Sequence, residues 1–128
     1  MVFYAIEKAW GGEVFVPKIP SYRIPDVAKA IAPELEYKVV GIRPGEKLHE
    51  EMITTSDSYN TIDLGNYYAI LPPNSSYSRY SKDDYKKAFG AVDVPKGFSY
   101  DSGNNTEWET VETLRELVIK HVDSNFKV

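Results

Sequence analysis

The sequence predicts an α/β fold with α+β character towards its end, read as a fragment of a larger α/β design. Two observations point there. In the first half, stretches of helical period alternate with short apolar, β-branched runs, giving the order α-β-α-β-α. In the second half, two strand-type runs flank Gly65-Asn66, and an amphipathic helix closes the chain. A composition of 42% hydrophobic and 27% charged residues in 128 positions suits one domain. At that size roughly two-thirds of the unfolded surface can be buried.

Val2, Phe3, Ala5, Ile6 and Ala9 recur at helical spacing, and Gly11-Gly12 ends that helix, predicted over Met1 to Trp10. It begins with no cap and no lead-in, and so reads as the tail of a helix from a longer protein. Glu13 to Val16 is a strand closed by Pro17, and Ile19-Pro20-Ser21 a loop. Ile24 to Ala32 is a helix with Pro25 near its first position and Asp26 in its first turn, stopped by Pro33. The run Tyr37-Lys38-Val39-Val40 predicts a strand over residues 37–42. Pro44-Gly45 breaks it, and Glu46 to Met52 reads as a short helix. Thr54 to Asn60 is a polar connection, followed by strands at Thr61 to Leu64 and Tyr67 to Leu71. Pro72 to Ser78 is a turn-rich linker, and Ser81 to Asp84 caps a helix through Phe89. Gly90 to Asn105 reads mostly as loop. The last helix runs from near Thr110 to about Val122, with Val111, Leu114, Leu117, Val118, His121 and Val122 on one face. Thr106 and Glu109 offer a competing capping box that leaves its start open by a few residues.

A net charge of −4 without a basic stripe argues against a nucleic-acid partner. No apolar run is long enough to predict a membrane span, and no secretory signal is visible. The absence of cysteine excludes disulfide and thiolate chemistry and fits a cytoplasmic setting. Ten tyrosines are many for this length. Their hydroxyls can line a sugar or base pocket, although most tyrosines in strand-rich domains serve packing.

The stretch of most chemical interest is Gly41 to Met52. Arg43 is placed where a predicted strand ends and a predicted helix begins, so exposed backbone N–H groups and a guanidinium fork would meet a phosphate or carboxylate together. Glu46 would complement the helix dipole or accept from a sugar diol. On chemistry alone a strand–turn–helix with a surface arginine is the commoner outcome. Other patterns fail. His49-Glu50 begins like a zinc-protease helix, but Ile53 stands four residues on, so no metal site is expected. His121 reads as a core or edge residue. Two histidines and no cysteine compose no nucleophilic triad. Tyr4 and Lys8 share a helix face at the spacing of a catalytic phenol–ammonium pair, yet they precede any nucleotide-binding strand. No glycine-rich dinucleotide fingerprint follows a strand. No catalytic residue and no cofactor site are therefore expected in this chain.

Three segments carry a family resemblance: Gly12 to Ser21 (GEVFVPKIPS), Val39 to Glu50 (VVGIRPGEKLHE) and Phe98 to Trp108 (FSYDSGNNTEW). In order and spacing they resemble the C-terminal portion of the inverting UDP-N-acetylglucosamine 4,6-dehydratases. These are extended short-chain dehydrogenases of capsule, O-antigen and pseudaminic acid synthesis, and the string from Arg43 to Glu50 is most similar to the pseudaminic acid branch. The resemblance spans nearly the whole chain, with residues 74–96 the weakest, and Gly103 departs from the bulkier polar residue expected there. It implies that residues 1–128 form a single C-terminal substrate-binding domain whose Rossmann half is absent. NADP and the catalytic Tyr, Lys and Asp would belong to that missing half.

On the substrate side the resemblance assigns Arg43 to the diphosphate of a UDP-sugar and Glu46 to the ribose or to Arg43 itself. It has the loop at Asn104 and Asn105 close over the nucleotide. For the two asparagines a turn-forming role is at least as frequent. The implied partners are UDP-N-acetylglucosamine, the parent's Rossmann domain and a homo-oligomer, and the isolated chain is expected to be inactive. Three alternatives stay open: a stand-alone nucleotide-sugar-binding module, an oligomerisation module, and a self-contained enzyme of another class. A domain cut from its Rossmann sheet should show an apolar patch, expected around Val2, Phe3 and Ile6.

Overall fold

The computed structural model describes residues 1–73 and 79–128. In chain order it holds α1 (Val2–Lys8), β1 (Val14–Pro17), α2 (Ile24–Ile31), β2 (Glu51–Ile53), a 3-10 turn (Asp57–Asn60), β3 (Thr61–Asp63), β4 (Tyr67–Ile70), α3 (Lys82–Phe89), β5 (Val92–Asp93), β6 (Tyr100–Asp101) and α4 (Val111–His121). Contacts gather these into two compact units, each built from two stretches of chain: Met1–Lys18 with Glu51–Asn104, and Ile19–Glu50 with Asn105–Val128.

The first unit is organised on an antiparallel sheet of order β1-β4-β3-β5. β3 and β4 form the hairpin expected around Gly65, with Ile62 opposite Ala69. Its tip needs a residue at positive φ, which Gly65 supplies at 85°. Leu64 N–H donates to the Tyr67 carbonyl at 2.8 Å, and Gly65 N–H to Asp63 Oδ1 at 2.8 Å. Asp63 also holds the Lys18 ammonium at 2.7 Å. One core cluster comprises Ile62, Ala69, Leu71, Tyr85 and Ala91, and a second Val16, Ile53 and Tyr100. Full burial of a side chain such as Ile62 is worth about 1.5–3 kcal/mol. α3 opens on a capping box between Ser81 and Asp84 and ends at left-handed Gly90.

In the second unit α2 packs against α4. The Arg115 side chain reaches the end of α2, where Nε donates to the Ala30 carbonyl and a terminal nitrogen to the Lys29 carbonyl, both at 3.1 Å. Those carbonyls lie in the last turn of a helix and lack intrahelical donors. Ser21 and Trp108 form a parallel bridge, with Ser21 N–H on the Glu107 carbonyl at 2.9 Å and Glu109 N–H on the Ser21 carbonyl at 2.8 Å.

Several expectations are corrected. Residues 37–42 form no strand and Glu46 to Met52 no helix. Residues 33–50 carry no regular element, and all are exposed. A strand needs a neighbour for its backbone groups, and this run has none among the described residues. A short uncapped helix cannot offset its nucleation cost without a buried face, and Leu48 is 78% exposed. The end of that stretch instead becomes β2, which pairs with β6 out of the region read as loop. β5, from the same region, adds to the main sheet beside β3. α1 stops at Lys8, short of Trp10. α4 starts after Thr110, which caps it together with Thr113, so the box from Thr106 to Glu109 is not used. His121 is exposed at its end. The linker read over Pro72 to Ser78 falls, at positions 74–78, outside the described residues. Among the described residues no helix is long and apolar enough to cross a membrane.

Candidate functional site

Arg43, Pro44, Gly45 and Glu46 form a tight turn. The Glu46 N–H donates to the Arg43 carbonyl at 3.0 Å, which closes it. Proline at the second position and Gly45 at φ 84° at the third are what a type II turn requires. The Glu46 carboxylate folds back to accept the Arg43 N–H through Oε2 at 2.8 Å. Glu46 therefore holds Arg43 by its backbone and leaves the guanidinium alone. That guanidinium is exposed and makes no ion pair or hydrogen bond among the described residues. Five N–H donors in a planar fork on a closed turn can take an anionic oxygen pair in bidentate fashion.

The two asparagines fall in different units. Asn104 belongs to the first. Its amide nitrogen donates to the Ser99 carbonyl at 3.1 Å and to Ser99 Oγ at 2.9 Å, and its oxygen accepts from Asp101 N–H at 3.3 Å. Asn105 belongs to the second. Its amide nitrogen donates to the Ile19 carbonyl at 2.8 Å and to Ser21 Oγ at 3.0 Å, and its oxygen accepts from Glu107 N–H at 3.2 Å. The Trp108 indole N–H closes the same loop on the Asn105 carbonyl at 2.8 Å. Both side-chain amides are thus committed to shaping backbone. Around Asn105 the second unit holds a feature that sequence reasoning missed: the Arg23 guanidinium lies 5.0 Å over the Trp108 ring. Only a partner 85 positions away in sequence reveals it, so no local signal announces it.

The family model described as "Polysaccharide biosynthesis protein" matches residues 1–72, which include the Arg43 turn. The chain belongs to that polysaccharide biosynthesis family. Its resemblance to the inverting UDP-N-acetylglucosamine 4,6-dehydratases, within the extended short-chain dehydrogenases, holds along most of its length. It is 46% identical over 114 residues to "UDP-N-acetylglucosamine 4,6-dehydratase (inverting)" of Campylobacter jejuni, a match covering 88% of this chain and 34% of that protein. It is 29% identical over 125 residues to "UDP-glucose 4-epimerase" of Rickettsia bellii, covering 93% of this chain and 35% of that one. The chain thus spans about a third of the length of the curated relatives it matches. Among solved structures, Pen from Bacillus thuringiensis superposes with a TM-score of 0.67 at 24% identity, over 92% of this chain and 34% of that one. That likeness bears on the mixed α/β fold.

Proposed function

We propose that this member of the polysaccharide biosynthesis family is the substrate-binding part of a UDP-N-acetylglucosamine 4,6-dehydratase-like lyase, acting in the cytoplasm on precursors of capsule, O-antigen or pseudaminic acid. Arg43 grips the diphosphate of the UDP-sugar, Glu46 fixes the turn that presents it, and Asn105 stiffens the loop at residues 105–109. Asn104 shapes the loop that ends the first unit. The observation that carries this reading is the Arg43 guanidinium, unpaired among the described residues, on a turn closed from both sides. A charge-assisted hydrogen bond to such a group is worth about 1.5–3 kcal/mol.

The residues present do not fit NADP. Gly11-Gly12 precede β1 instead of following a strand, and the Gly41-to-Gly45 segment opens no helix. Dinucleotide chemistry accordingly falls to a nucleotide-binding domain outside this sequence, and this chain by itself turns over no sugar nucleotide. Exposed Val2, Phe3 and Ile6 on α1 support a covering partner of that kind.

The test is an amide NMR titration of the full chain with UDP, repeated on Arg43→Ala. Saturable shifts at residues 41–48 that vanish in the variant are expected. Shifts that persist in Arg43→Ala would remove Arg43 from the site. A second reading, an oligomerisation module, rests on the same exposed α1 face. Light scattering that finds a stable oligomer indifferent to UDP would favour it.

A further inference from the structure

The first unit carries an aromatic corner that the reading above does not use. The Trp10 ring packs on Tyr80, Tyr85 and Phe89 at centroid distances of 4.4, 4.5 and 5.2 Å. Beside it opens a cavity of about 180 Å³, walled by Tyr59, Asn60, Pro72, Tyr80, Lys82 and Tyr85. Pockets for drug-sized ligands run to roughly 300–1,000 Å³, so this one has room for a single ring and not for a nucleotide.

The polar groups on its wall are partly unspent. Lys82 Nζ has three donors, of which one goes to Asp93 at 2.9 Å and one to the Tyr59 carbonyl at 3.1 Å. The side-chain amide of half-buried Asn60 and the Tyr59 hydroxyl have no partner among the described residues. The Tyr85 hydroxyl, by contrast, is fixed on the Glu13 carboxylate. Together the lining residues carry the rings of three tyrosines, an amide and a hydroxyl that both donate and accept, and one cationic donor. The shape discriminates further. Tyr80 and Tyr85 meet at 81° with centroids 6.3 Å apart, an angled corner and not the parallel slot that would sandwich a flat base. A saturated ring with apolar C–H faces and a rim of hydroxyls meets both demands.

We propose that this cavity binds one monosaccharide ring, with its C–H face against Tyr59 and Tyr80 and its hydroxyls on Asn60 and Lys82. The inference stands apart from the UDP reading, because it uses no phosphate and no residue of the Arg43 turn.

The test is an amide NMR titration of the full chain with N-acetylglucosamine, with methyl glucoside and, as a flat-ring control, with uridine. Tyr59→Ala, Asn60→Ala and Arg43→Ala are run alongside. Tyr59 is 71% exposed, so Tyr59→Ala should keep the wild-type unfolding midpoint. The expected result is a saturable millimolar response to at least one sugar at residues 59, 60 and 82. It should weaken about tenfold or more in Tyr59→Ala and Asn60→Ala and persist in Arg43→Ala. No saturable response to either sugar, an equal response to uridine at the same residues, or a sugar response unchanged in both cavity variants would each overturn the proposal. UDP can fail to bind while these sugars bind, so failure here is distinguishable from failure of the Arg43 reading.

Discussion

Glu13 shows how much one side chain can organise. Its carboxylate accepts the N–H of Trp10 at 3.0 Å, the N–H of Gly11 at 2.8 Å and the hydroxyl of buried Tyr85. It thereby ties the end of the α1 segment to α3. Burial pushes the Glu13 carboxyl up, but the bonds from Tyr85 and the backbone outweigh it and leave the group below its ordinary range. On the other side, burial and then the Glu13 bond and charge hold the Tyr85 phenol above its ordinary value, so it remains a donor. A carboxyl whose folded value is depressed stabilises the fold above its unfolded value, and that contribution is lost as pH falls through the folded value. The unfolding midpoint should therefore drop on acidification through and below the normal carboxylate range. Glu13→Gln should flatten part of that slope, as a pH series of thermal melts would show. Tyr85→Phe removes a charge-assisted bond and should cost about 1.5–3 kcal/mol in urea unfolding. A cost near zero would mean that the tyrosine matters to this unit only as a ring.

At the scale of elements, stability depends on how ends are closed. Ser81 accepts from Asp84 N–H while the Asp84 carboxylate accepts from Ser81 N–H, and Ser81→Ala should cost about 0.5–2 kcal/mol. Arg115→Met keeps the apolar stem but leaves the last carbonyls of α2 to water. Circular dichroism of that variant should show a lower melting midpoint, by an amount corresponding to roughly 1–3 kcal/mol. These same ends explain what could be read in the sequence. α2, α3 and α4 announce themselves through Pro25 and Asp26, Ser81 and Thr110, and the β3–β4 hairpin through Gly65, because their signals are local. β5 and β6 are two residues each and exist only through partners remote in sequence, so their region carries no local strand signal and reads as loop. Tyr37 to Ile42 carries strand composition but finds no neighbour among the described residues, and composition does not reveal which edge a strand will meet. The candidate site divides in the same way. Of the Arg43 setting only the break at Pro44-Gly45 is legible, since the strand expected before Arg43 and the helix expected after it do not form. The use of Asn105 to clasp Ile19 and Ser21 is not, because more than eighty residues separate the partners.

Across the described residues the outstanding feature is exposed apolar surface. In the first unit Tyr4 turns inward, stacked 4.5 Å from Tyr67 and edge-on to Phe15, while Phe3 is 81% and Ile6 73% exposed on the same helix. In the second unit Val39 is 84% exposed within a run of strand composition whose backbone lacks a described neighbour. Apolar surfaces of this kind mark interfaces or aggregation sites, and unpaired strand-type backbone recruits other chains. The isolated chain should therefore self-associate as concentration rises. Because these side chains contribute little to their own unit, Phe3→Ser with Ile6→Ser, and separately Val39→Lys, should lower the apparent mass in light scattering and leave the unfolding midpoint unchanged. A substitution that also lowered the midpoint would assign the surface to the fold. If neither set moves the mass of an associating chain, the contact lies elsewhere, and the exposed α1 face no longer points to a covering nucleotide-binding domain. If the α1 pair does, that face is an interface, and a nucleotide-binding domain supplied in trans should suppress the association it mediates as effectively as the substitutions.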